Sequence, residues 1–224
     1  MITLAFDTAM GAGSVVVAQD SKALAKSVEP NHRALAERLV PMVEETLSLA
    51  GHSYKSIDQL AVTVGPGTFT GMRIGLAAAR SMAQAANKPL VGVSTLEVIA
   101  QQVAGKCQNE ETISVCFDAR RSEVYLQTFQ RRGTELDAVS APLLCSPEQA
   151  SEHLAPYSGV VAGSGAGLLL GLPGITKLDD FDAIDALALA TIAEGRPRPE
   201  GLPEPLYLRD PDAKLPGGKT LEPS

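Results

Sequence analysis

Short apolar runs alternate with polar breaks along the first third of the chain. Ile2–Phe6 ends at Asp7-Thr8, Ser14–Ala18 follows a glycine turn, and Lys22–Val28 follows Gln19-Asp20-Ser21. The first two are almost continuously apolar, as buried central strands are, and the three predict an antiparallel meander. The period then changes. Leu35, Leu39, Val43 and Leu47 recur on one face, with Ala36 and Val40 beside them, which predicts a helix over 33–50. Pro41 inside it predicts a kink or a late start, and Gly51 ends it. A strand over 57–64, a loop at Gly65–Gly71, a helix over 70–86, a strand over 89–93 and a helix over 95–103 complete the order βββαβαβα.

The same order begins again near Thr112. Strands are predicted over 113–118, 123–130, 136–144 and 159–162, with helices over 147–154 and 183–194. Three meandering strands followed by crossover units make a mixed sheet with helices on its faces. The fold class is therefore α/β, a duplicated ribonuclease-H-like, actin-like architecture with a reduced second lobe. The expected division is 1–106, 107–195 and a Pro/Gly-rich tail over 196–224.

The helix over 70–86 stands out. Gly71, Gly75, Ala78, Ala79, Met82 and Ala86 align at spacings of three and four, while Ile74, Leu76, Ala77, Ala83 and Ala85 extend the apolar surface. A helix apolar on most sides needs two burial partners. Its own sheet is one. The other is either the preceding helix or a helix of another chain packed closely on the small residues.

Composition narrows the function. The net charge is −7 and aromatics are 4% of the 224 residues. An RNA-gripping surface needs a basic patch and stacking rings, and the pairs Arg120-Arg121, Arg131-Arg132 and Arg196/Arg198 are too small for one. Cys107, Cys116 and Cys145 lack CxxC spacing and read as free thiols of a reducing compartment. With no apolar run of membrane-spanning length, the expected location is the cytoplasm. His32, His52 and His153 have no zinc-site spacing, and no GxSxG elbow is present, so neither metal nor triad is expected.

Three features have alternative readings. Asp7-Thr8 before a glycine turn suits a phosphate or magnesium site, or equally the cap of a tight turn. Gly65–Gly71 joins a strand to a helix, where amides receive anions, but it is no Walker loop. Thr68 or Thr70 as N-cap, with Phe69 exposed for a protein contact, is the structural reading. Gly163-Ser164-Gly165-Ala166-Gly167 offers either an adenosine contact or a strand-to-helix turn.

Several stretches together resemble the TsaB (YeaZ) family: LAFDTA at 4–9, GPGTFTGMRIG at 65–75, VGVSTL at 91–96, FDARRSEVY at 117–125 and PLYLR at 205–209. The resemblance implies a non-catalytic, dimerising subunit of the bacterial machinery that makes threonylcarbamoyladenosine beside the anticodon of tRNAs. It implies pairing with a TsaD-like catalytic paralogue, a TsaE-like ATPase in the assembly, a homodimer when alone, and tRNA reached only through the complex. The implied pairing surface is built from the first two helices. Leu35, Leu39, Val43, Phe69, Met72, Gly75, Ala78, Ala79 and Met82 are the expected interface residues. No cofactor is expected beyond a weak ATP or ADP contact at Asp7, Thr8, Gly67 and Thr68. The catalytic paralogue's paired histidines have no counterpart, because those positions hold residues such as Arg33, Glu37 and Met72, and Asp118 precedes Ala119-Arg120-Arg121 instead of a glycine loop. The competing expectation is an enzyme of the same fold, a nucleotide phosphotransferase or a metallopeptidase.

Overall fold

A computed structural model describes residues 1–133 and 135–209. The first sheet has the order β3-β2-β1-β4-β5, built from β1 (Ile2–Asp7), β2 (Gly13–Gln19), β3 (Lys22–Glu29), β4 (Gln59–Thr63) and β5 (Leu90–Val93). β1, β2 and β3 pair antiparallel, and β4 and β5 continue parallel to β1. The second sheet repeats this plan with β6 (Thr112–Arg120), β7 (Glu123–Arg132), β8 (Glu135–Ala138), β9 (Leu143–Cys145), β10 (Gly159–Ala162) and β11 (Ile175–Leu178) in the order β11-β10-β6-β7-β8. The chain is thus a duplicated actin-like fold with two mixed sheets.

Helices α1 (Leu35–Leu49) and α2 (Phe69–Ala86) cover the outer face of the first sheet. Leu39, Met42, Val43, Leu47, Leu76, Ala79 and Ala83 meet Leu4, Phe6, Val15 and Leu60 there in one buried cluster. The helix α4 (Pro147–Leu154) covers the outer face of the second sheet. Between the sheets lie α3 (Thr95–Ala104) and α5 (Ala186–Glu194), and they are exchanged. The first half's last helix, α3, packs on β6, β7 and β10, whereas α5 packs on β1, β2, β4 and β5. One continuous core of Val16, Ala61, Val93, Leu96, Ile99, Val115, Phe117, Leu189 and Ala190 results.

Local chemistry sets the element ends. A 3-10 turn at His32–Ala34 moves the start of α1 to Leu35, and the helix then runs through Pro41, so the late start expected at the proline does not occur. Pro41 is exposed at the surface, so water can satisfy the carbonyl of Glu37 that a proline leaves unpaired. Gly51, with φ +71°, closes α1: its N–H donates to Ser48 O (3.0 Å) and that of His52 to Leu47 O (2.9 Å), a Schellman cap. Ser146 opens α4 with a reciprocal capping box to Gln149.

Three expectations need correction. The strand expected over 136–144 is broken into β8 and β9, both paired to β7, because Pro142 lacks an amide and Ser140 instead offers its hydroxyl to the Thr128 N–H (2.9 Å). The last helix starts at Ala186, since the Asp185 side chain accepts from Leu187 N–H and caps it. β11, a four-residue edge strand, was not anticipated. The tail is described to Arg209, and residues 210–224 of it lie outside the described residues.

Among the described residues no helix is long and apolar enough to cross a membrane. The three cysteines are free and buried, and burial pushes Cys116 up to about 12 and Cys107 up to about 11, leaving both as thiols.

Candidate functional site

The turn after β1 and the loop before α2 are laced together. Asp7 ends β1 and is 1% exposed. Its Oδ1 accepts from the Ala9 amide (3.0 Å) and from the Thr63 hydroxyl on β4. Thr8 donates its hydroxyl to Gly71 O (2.7 Å), and the Thr68 amide donates to Ala9 O (2.8 Å). Burial pushes the Asp7 carboxyl up to about 6, against the Thr63 and backbone hydrogen bonds that favour the charge. A Cβ at Gly71 would lie 2.0 Å from Thr8 O, and one at Gly75 2.3 Å from Thr8 Oγ1. These glycines exist so that α2 can lie against the β1 turn.

A cleft of about 790 Å³ opens between the halves. Gly67, Thr68, Phe69 and Met72 line it from the first half, and Asp118–Arg121, Tyr125 and Ser164 from the second. Of the four residues expected to contact a nucleotide, Gly67 and Thr68 line this cleft; Asp7 and Thr8 do not, and Asp7 Oδ1 and the Thr8 hydroxyl are engaged in the turn. Thr68 caps α2 through Gly71 N–H (3.2 Å), as expected from sequence.

The opposite wall is built differently. The β6–β7 turn places Arg121 and Ser122 at φ +57° and +59° between Arg120 and Glu123, a two-residue hairpin loop. Asp118 accepts the Arg120 amide at Oδ1 (2.7 Å) and the Arg120 guanidinium at Oδ2 (3.2 Å). The Arg120 amide is thus held by the chain's own carboxylate. In the glycine run, a Cβ at Gly165 would lie 2.8 Å from the Phe117 carbonyl carbon, and the Gly165 amide donates to Cys116 O (2.9 Å). Close approach to β6 accounts for glycine at this position. Among the described residues no three His, Cys, Asp or Glu side chains converge as metal ligands.

The residues expected at the interface differ in how exposed α1 and α2 leave them. Leu35, Leu39, Val43, Met72, Gly75 and Ala79 are buried in the protein's own interior. Ala78 and Met82 are half-buried, and Phe69 is exposed at the first position of α2. Ala36 and Val40 of α1 and Ala77 and Ala85 of α2 face solvent, with Ile74 half-buried. A helical period marks the most apolar stripe, and here that stripe serves the sheet; the neighbouring, weaker stripe of small residues is the one left available.

Across 237 aligned residues the chain is 35% identical to the Escherichia coli tRNA threonylcarbamoyladenosine biosynthesis protein TsaB, covering 97% of this chain and 99% of that protein. The chain belongs to the TsaB family. The Haemophilus influenzae TsaB is 30% identical over 83% of this chain and 85% of its own length. A solved Pseudomonas aeruginosa structure, described as an uncharacterized protein with similarity to peptidase YEAZ, superposes with a TM-score of 0.80 at 30% identity, over 93% of this chain and 99% of that one. The family model described as "TsaD: tRNA N6-adenosine threonylcarbamoyltransferase" matches residues 23–172. TsaB-family membership and the duplicated fold therefore agree with the resemblance read from the GPGTFTGMRIG and FDARRSEVY blocks.

Proposed function

We propose that this chain acts in threonylcarbamoyladenosine formation on tRNA as a non-catalytic partner. On this reading it pairs with a TsaD-like catalytic chain in the cytoplasm and stabilises that chain's active form. The observation that carries it is the contrast between a solvent-facing helix pair and a strand-end turn in which Asp7 Oδ1 and the Thr8 hydroxyl are already engaged. Ala36, Val40, Ala77 and Ala85, beside half-buried Ile74, Ala78 and Met82, offer a close-packing surface for a helix of another chain. Meanwhile Asp7 is enclosed and the Arg120 amide is held by Asp118, so both groups serve the chain's own turns. A TsaE-like ATPase and the tRNA join through the complex, and the free chain pairs with itself through the same helices.

Reconstitution with the catalytic paralogue and tRNA tests this. Omission of the chain is expected to abolish modification, and Ala77→Asp to weaken pairing at least about tenfold, because a charge in a packed interface loses its water. The far-UV circular dichroism of the variant should be unchanged, since Ala77 is exposed and its replacement leaves the protomer's own core intact. Equal tRNA modification without the chain would refute the proposal. So would ATP turnover by the isolated chain with magnesium, which would favour a phosphotransferase.

A further inference from the structure

The cleft has a third wall, and it belongs to neither sheet. After α5 the chain returns along the first half. The Arg196 guanidinium is fixed by Gly92 O (2.7 Å) and Glu97, and Arg80 holds Pro203 O. The Leu206 amide donates to Val64 O (2.8 Å) at the end of β4. There is no room for side chains beneath this path: a Cβ at Gly92 would lie 2.5 Å from Pro203 Cβ, and one at Gly65 3.0 Å from Leu206 O. The segment then crosses the cleft mouth, where Leu206, Tyr207, Leu208 and Arg209 line it.

Each side of the crossing has its own hold. On the first half, the Tyr207 ring lies 5.7 Å from that of Phe69 at a 36° tilt. The Arg73 guanidinium lies over the Phe69 ring, 3.7 Å from its centroid, and its Nε is 3.4 Å from the Tyr207 hydroxyl. On the second half, Arg209 pairs with Glu123, the first residue of β7, and reaches Arg120 O (3.5 Å) at the end of β6. Two residues apart in sequence, Tyr207 and Arg209 are thus anchored to opposite walls.

We propose that residues 202–209 form a latch across the cleft, with Tyr207 gripping the first half and Arg209 the second, so that release of either grip opens the cleft. The hold is of a size that can be released. A partly exposed ion pair and a tilted ring contact are each weak, while Arg80, Val64 and the two glycines keep the rest of the segment seated. The mouth can therefore open while the strap stays on the first half. The inference concerns the chain alone and is independent of any partner.

Hydrogen exchange on the intact chain tests it, using Arg209→Ala, Glu123→Ala and Tyr207→Ala. Loss of either grip is expected to speed exchange of the cleft-wall amides around Thr68 and Gly165 by roughly threefold to tenfold. Amides of α1 and α4 should exchange as before. Glu123→Ala is the decisive variant because it acts from the second half, and it should also speed exchange around Thr68 on the first while the Leu206 amide, bonded to Val64 O, stays protected. Arg209→Lys, which keeps the charge, should restore part of the protection. A rise confined to 202–209 with unchanged cleft walls would make the segment a passive tail and overturn the latch. A uniform rise across the molecule would also overturn it, as a loss of global stability.

Discussion

The two halves share one strand plan and differ in what covers it. On the first sheet, two helices of 15 and 18 residues lie over the outer face; on the second, an 8-residue helix and a 3-10 turn at Ala166–Leu168 stand in the corresponding places. The carboxylates at the ends of the paired central strands differ too. Asp7 is enclosed and binds the turn beside it, whereas Asp118 is partly exposed and holds the Arg120 backbone. Duplication supplies the frame, and each copy has then been free to put its helix layer and its turn to separate uses. The half with the long helices holds the small-residue outer surface; the short-helix half holds one wall of a cleft.

The sharpest test of this contrast is at the glycines that open each covering segment. Gly71→Ala should cost about 3 kcal/mol, because the new methyl meets the Thr8 backbone, which cannot rotate away as a side chain would. Gly167→Ala faces open space and should shift stability by less than about 0.5 kcal/mol. Urea unfolding midpoints measure both. Equal costs would mean that α2 does not need its close approach to the β1 turn.

Next in size is a pH effect specific to the first half. The folded state raises the Asp7 carboxyl from 3.8 to about 6, so it binds the proton more tightly than the unfolded chain does. Stability from this group is therefore present at low pH and is lost as pH rises from about 4 to about 6, with no further change above. The loss amounts to about 2–3 kcal/mol at most. Asp7→Asn keeps an acceptor for the Ala9 amide and removes the titration. Relative to the unsubstituted protein, the variant should gain stability across that window in thermal melts. A difference that stays constant from pH 4 to 7 would show that Asp7 is not enclosed as described.

The smallest effect compares helix starts. Thr68→Ala removes one cap bond from α2, and Ser146→Ala removes the hydroxyl half of the α4 capping box. Each should cost about 1 kcal/mol in chemical denaturation. A negligible cost at Thr68 would place the start of α2 under the control of the surrounding packing and not of its cap.

Much of the frame was legible in the chain itself. The switch from period two to period 3.6 at residue 33 locates the end of the first meander and the start of α1 to within two residues, and the recurrence after Thr112 marks the second copy. The elements missed were those with weak patterns. β11 is four residues with an exposed Thr-Lys centre, and β8 and β9 are two short strands on one partner, separated by Ser140 and Pro142 within a stretch of mixed polarity. Directions were harder than elements. The stripe Leu35, Leu39, Val43 identifies a helix face but does not say whether its partner is the home sheet or another chain. Similarly, Asp7 at a strand end has the sequence of a phosphate site and of a buried turn alike. Only the Thr63 hydroxyl, 56 residues away, separates the two.

The exchange of α3 and α5 has a consequence for how the protein is made. The inner face of the first sheet, complete once β5 has emerged, is covered by a helix encoded about a hundred residues later. At typical rates of synthesis that face stays bare for roughly 5–20 s on the ribosome. The N-terminal half therefore cannot be finished on its own. A nascent chain stalled anywhere before Glu194 would present Ala5, Val16 and Ala61 to the cell as an open apolar surface, a ready target for chaperones.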